Sequence, residues 1–178
     1  MSIVTPILPV DVEAAPSPRG FVGGTRLMTP SGWRKIESLQ AGDILSCCKE
    51  EPIVIRSIRA IVLSRIGVKV VYVNGKARGQ GRGAEALYLA PEQMIVVAGD
   101  RLAAYFGVEE ALAPIGALID GQDLRLVDAP VGEIWYEIEM EEACALVVEG
   151  LQVALGDAAR DSRPALSVAE ARLLALAA

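Results

Sequence analysis

Turn signals recur along this sequence at intervals too short for long helices to fit between them. Pro30-Ser31-Gly32, Ala41-Gly42-Asp43, Asn74-Gly75, Asp120-Gly121 and Glu149-Gly150 separate short runs rich in Val, Ile and Leu. Each pairs a residue that turns the chain with a glycine that accepts the conformation the turn demands. Strands are therefore predicted over 25–29, 33–37, 43–48, 52–58, 60–66, 69–73, 94–98, 123–127, 134–140, 145–148 and 153–155. Many short strands with closely spaced turns make a compact all-β fold.

Two stretches interrupt the pattern. Residues 108–119 carry Val108, Ala111, Leu112, Ile115, Leu118 and Ile119 close to helical spacing, with Pro114 as a kink or stop, and one internal helix is predicted there. Near the end, Ser167-Val168-Ala169-Glu170 is a capping-box pattern that opens a helix running to Ala178. The first 19 residues hold Pro6, Pro9, Pro16 and Pro18 and no periodicity, so they read as an extended arm. The organisation expected is an arm over 1–19, a β domain over 20–156, and a linker with a C-terminal helix over 157–178.

Composition removes several functions. At 178 residues one hydrophobic core suffices. A net charge of −6 argues against a nucleic-acid binder, which needs clustered Lys and Arg. The basic loop 75–83 lacks the Gly-Lys-Ser/Thr of a phosphate-binding loop and reads as a hairpin tip. The most apolar region, 53–73, is broken by Arg56, Arg59, Arg65 and Lys69, short of the roughly 20 apolar residues of a membrane span. No basic residue precedes Arg19, so the start does not read as a signal peptide, and a cytoplasmic location is expected. Three cysteines cannot close a disulfide set. The decisive count is histidine, which is zero. Histidine is the usual general base near neutral pH, so Ser/His and Cys/His mechanisms are excluded. The 52% hydrophobic content with only 4% aromatics fits a core of small residues, or apolar surface reserved for a partner.

The run from Gly20-Phe21-Val22-Gly23-Gly24-Thr25 through Met28-Thr29-Pro30-Ser31-Gly32 to Ile36-Glu37-Ser38-Leu39-Gln40-Ala41-Gly42-Asp43 resembles the opening of bacterial Hint (Hedgehog/intein-type) domains. Two later blocks resemble the same family: Leu89-Ala90-Pro91-Glu92-Gln93-Met94-Ile95-Val96-Val97, and Trp135 to Met140 with Leu146 to Leu151. The resemblance covers about residues 20–156 and implies a horseshoe of short strands. It also implies self-cleavage before the first residue, in which a Cys or Ser attacks the preceding carbonyl and Thr and His groups assist. Matched position by position, those groups are missing. The nucleophile position is Gly20, the Ser/Thr position is Ala90, the block's histidine is Gln93, and the later histidines fall at Glu137 and Ala143.

Other candidates are weaker. Cys47 and Cys48 are adjacent on a predicted strand and so face opposite sides, a poor arrangement for shared ligation. With Cys144 they read as structural thiols, a redox or substitute-nucleophile role being the alternative. Glu137, Glu139 and Glu141 alternate on one strand face, read as solvated, with calcium or magnesium binding as the sharper option. The reading these residues support is a degenerate Hint fold without a cofactor that binds other protein subunits, a second copy included. The arm (Ile3, Val4, Ile7, Leu8) and the last helix (Val168, Leu173, Leu174) are the expected contacts. A self-cleaving enzyme with a displaced nucleophile and a carboxylate-based cation binder or hydrolase are the alternatives.

Overall fold

The computed structural model describes residues 19–47, 51–75, 86–156 and 160–176. The arm residues Ile3, Val4, Ile7 and Leu8, Cys48, and most of the basic loop lie outside them. In chain order the strands are β1 (Phe21–Val22), β2 (Arg26–Thr29), β3 (Gly32–Lys35), β4 (Ile44–Ser46), β5 (Pro52–Val62), β6 (Lys69–Val73), β7 (Leu87–Leu89) and β8 (Met94–Ala98). Helix α1 (Asp100–Phe106) follows, then β9 (Glu110–Pro114), β10 (Leu124–Asp128), β11 (Ile134–Met140), β12 (Cys144–Val148), β13 (Leu151–Leu155) and helix α2 (Val168–Leu176). The architecture is all-β with antiparallel sheets ordered β1-β11-β5-β4, β10-β6-β7 and β3-β2-β12-β13-β8-β9.

Alternation within the strands builds the core. Leu27, Leu45, Ile55, Val71, Leu87, Leu89, Leu146 and Val153 are fully buried in one cluster shared by all three sheets. Trp135 turns to the opposite face of β11 and packs with Val22, Val68 and Val70 in a smaller cluster.

The helix expected over 108–119 is not there. Residues Glu110–Pro114 form β9 against β8, and Ile115–Leu118 make a 3₁₀ turn. Ala111, Leu112 and Ala113 are all buried, so the run is a strand covered on both faces. Such a run carries no alternation and cannot be told from a buried helix by periodicity. Pro114, which would break a helix interior, sits without cost at the end of a strand. The internal helix is α1, one element earlier. The strands expected over 52–58 and 60–66 are one, β5, which β11 pairs continuously from Ile134↔Val62 to Glu139↔Ser57.

The chain after β13 folds back on the sheet. The Leu112 amide donates to the Pro164 carbonyl at 2.8 Å, and the Leu166 amide to the Leu112 carbonyl at 2.8 Å, a short parallel pairing on the outer edge of β9. The capping box then forms as predicted. The Ser167 amide donates to Glu170 Oε2 at 2.7 Å, and the Glu170 amide to Ser167 Oγ at 3.3 Å. Ala171 and Leu166 are buried against Leu102, Ala111, Ala113 and Ala117, with Leu174 packed beside them. The helix therefore spends Leu174 on its own fold and leaves Val168 and Leu173 about half exposed. Truncation before Arg160 is expected to cost about 3–6 kcal/mol, because it removes the packing of Leu166 and Leu174 and burying a leucine contributes about 1.5–3 kcal/mol. A fall in the urea midpoint checks this.

Candidate functional site

A cleft of about 890 Å³ opens between the β5–β11 face on one side and the turn before β8 with the end of β13 on the other. Arg19, Gly20, Ser57, Arg59, Ala90, Gln93, Glu137, Glu139 and Gly156 are among its lining residues. Four positions named from the sequence, Gly20, Ala90, Gln93 and Glu137, thus meet in one place although they come from three separate segments. Ala143 does not join them. It lines a neighbouring hollow of about 290 Å³ with Cys47 and Cys144, and it lies beside Gly156 of the cleft, where an added Cβ would come within 3.1 Å of its Cα.

Gly20 leads into β1, which pairs with β11 through Phe21↔Tyr136 and Val22↔Trp135. Its φ is +97°, and a Cβ built there would lie 2.1 Å from the Tyr136 carbonyl oxygen and 3.0 Å from Glu137 Cα. The main chain of β11 occupies the space a nucleophilic side chain would need. Ala90 is buried. The turn carrying it is pinned from beneath, where the amides of Ile115 and Gly116 donate to the carbonyls of Gln93 and Pro91 at 2.9 and 2.8 Å. Gly116 permits that approach, since a Cβ would meet the Pro91 carbonyl oxygen at 2.8 Å. Gln93 uses its side-chain amide structurally, donating from Nε2 to the Ala154 carbonyl at 2.6 Å. It ties the turn to β13 and offers no proton carrier.

The acidic strand is neutralised by its neighbour. Glu137 stands opposite Arg59 and forms an ion pair with it. Glu139 accepts from Ser57 Oγ at 3.0 Å and lies 3.5 Å from Arg56. A bulge between Glu139 and Met140 breaks the alternation, and Glu141 lines the other hollow. The three carboxylates do not converge. Among the described residues no group of three or more His, Cys, Asp or Glu is arranged to hold a metal ion.

Sequence reasoning missed two features. Ser57 puts a hydroxyl in the cleft beside a carboxylate, a placement that depends on cross-strand register and leaves no local signal. Glu149, identified only as part of a turn, is fully buried and accepts from the Arg26 amide at 2.7 Å, Nε at 3.0 Å and Nη2 at 2.8 Å. Its φ of 47° places it in the left-handed region, with Gly150 following at 86°, as a two-residue hairpin turn requires.

The sequence matches the Hint domain family over residues 19–154. The chain belongs to the Hint domain family. Among solved structures it is similar to a bacterial intein-like domain from Clostridium thermocellum, at 16% identity with a TM-score of 0.51, covering 79% of this chain and 100% of that one. It is also similar to the MchDnaB-1 intein, at 12% identity and TM-score 0.46, covering 77% and 100%. A third is the Msm DnaB1 intein splicing domain bound with zinc, at 15% identity and TM-score 0.44, covering 75% and 98%. No curated protein matches the chain. The all-β Hint fold expected from the resemblance is the fold found. Among the described residues no helix is long and apolar enough to cross a membrane.

Proposed function

We propose that this Hint domain is a non-catalytic scaffold, acting as a protein-interaction subunit of a larger cytoplasmic assembly. The observation that carries the reading is at Gly20, where backbone stands in place of an attacking side chain. Loss of a covalent nucleophile costs on the order of 10⁶ in rate, and loss of acid–base help a further factor of about 10²–10⁴. With no histidine in the chain, the usual proton carrier near neutral pH is missing as well. Ser57, held by Glu139, is the one hydroxyl–carboxylate pair described in the cleft, and a carboxylate alone is a weak activator of a serine. The interaction half of the reading rests on apolar side chains left uncovered, Val168 and Leu173 on α2, and on the apolar residues of the arm, Ile3, Val4, Ile7 and Leu8.

Intact-mass measurement after prolonged incubation with a thiol reductant tests the first half. An unchanged mass is expected, and release of a fragment ending at Arg19 would restore the self-cleaving alternative. Light scattering tests the second. A species larger than the 18.8 kDa chain is expected, and a clean monomer with freely exchanging terminal amides counts against it.

A further inference from the structure

The smaller hollow, at the far end of β11 from Gly20, collects two of the three cysteines. Cys47 forms an isolated antiparallel bridge with Leu146 of β12. Cys144 stands two residues before Leu146 on the same strand, and side chains two apart in a strand share a face. Their environment agrees with that register. Both thiols border the same core cluster, Cys144 buried within it and Cys47 half-buried at its edge. Both also line the one hollow.

Cys47 and Cys144 are therefore diagonal neighbours across two strands. Such positions lie roughly 7–8 Å apart, with the Cβ atoms somewhat closer. That separation is wrong for a disulfide, which needs Cβ atoms about 3.5–4.5 Å apart. No disulfide joins the two. It does suit a shared ion. With metal–sulfur bonds of about 2.3 Å, two thiolates on either side of a cation stand up to about 4.6 Å apart, which flexible χ1 rotations reach from diagonal positions.

We propose that Cys47 and Cys144 form a two-thiolate site for a soft monovalent cation of the copper(I) class. Thiolates select soft metals, and the register puts these two thiols on one face while no group of three or more His, Cys, Asp or Glu is arranged to hold a metal among the described residues, which favours a cation that accepts two-coordinate sulfur over tetrahedral zinc. Binding breaks two S–H bonds and forms two metal–sulfur bonds. Both protons leave to solvent, and no electron is transferred. The resulting complex carries one negative charge. Glu51, Glu141, Glu142 and Asp161 outnumber Arg160 and Arg163 in the lining, so the hollow attracts a cation. The site lies apart from the vacant cleft, so it stands whether or not the scaffold reading does.

The test uses the full reduced chain, titrated anaerobically with copper(I) against a chromogenic copper(I) chelator. One equivalent is expected to leave the chelator, with a thiolate-to-copper charge-transfer band appearing at the same stoichiometry. Cys47→Ser and Cys144→Ser are each expected to weaken binding at least about 100-fold, beyond the 10–100-fold typical of losing an outer-shell partner. Cys48→Ser is expected to leave it unchanged. Cys47 is only half-buried, so its variant keeps the test valid if Cys144→Ser folds poorly. Failure to withdraw copper would overturn the proposal, as would wild-type affinity in Cys47→Ser or loss of binding in Cys48→Ser.

Discussion

A cysteine at position 20 lowers stability by about 4 kcal/mol and restores no cleavage, even when Ala90→Thr and Gln93→His accompany it. The left-handed φ of Gly20 strains any side chain, at about 1–3 kcal/mol. The contact 2.1 Å from the Tyr136 carbonyl adds an overpacking cost of about 1–3 kcal/mol, because the atom in the way is backbone of a strand paired on both sides. Gly20→Ala, which has no thiol, should lose as much, and that separates strain from chemistry. Denaturant midpoints measure the loss, and intact mass measures cleavage. A Gly20→Cys variant as stable as the parent would show that β11 yields easily. A fragment ending at Arg19 would show that the cleft still activates a nucleophile.

The second large effect lies outside the cleft. Glu149→Ala is expected to destabilise the fold by about 3–5 kcal/mol, the usual result of removing one partner from a buried ion pair. The pair joins the β12–β13 turn to β2, beside the Val148↔Leu27 register pair and the 2.9 Å bond from the Glu149 amide to the Arg26 carbonyl. Removing the carboxylate takes an acceptor from both the Arg26 amide and its guanidinium, which is one-third exposed and lies over the Trp33 ring. Arg26→Ala should cost at least as much, because it leaves the fully buried Glu149 carboxylate without its guanidinium, and the double variant should fall well short of the sum of the two, as expected for residues acting as one unit. Additive losses would mean that the bond contributes little.

Much of the strand framework was legible in the residues themselves. The limits of β6, β8 and β11 follow directly from runs such as Lys69–Val73, where apolar residues end at Asn74-Gly75. The two-residue β1 and three-residue β7 were missed, because strands that short exist only through their long-range partners, Tyr136 and Val71 among them. The strand at 110–114 was misread as helix because burial on both faces erases the period-two signal. For the site, resemblance to a known family named Gly20, Ala90, Gln93, Glu137 and Ala143, and the fold brings together all but Ala143, which lines the other hollow. Nothing local showed that Gln93 would spend its amide on Ala154, or that Glu149 would be buried. Both depend on partners dozens of residues away.

The pairing of Leu112 with the 164–166 segment has a consequence for the solution behaviour of so apolar a chain. A sheet rim with unsatisfied amides recruits strands from other molecules, and here the rim of β9 is occupied by the protein's own tail. The tail therefore acts as a guard against fibril growth from that side. Proteolytic trimming of the C-terminal region is expected to open that rim, and a rise in light scattering on heating, relative to the intact chain, checks it.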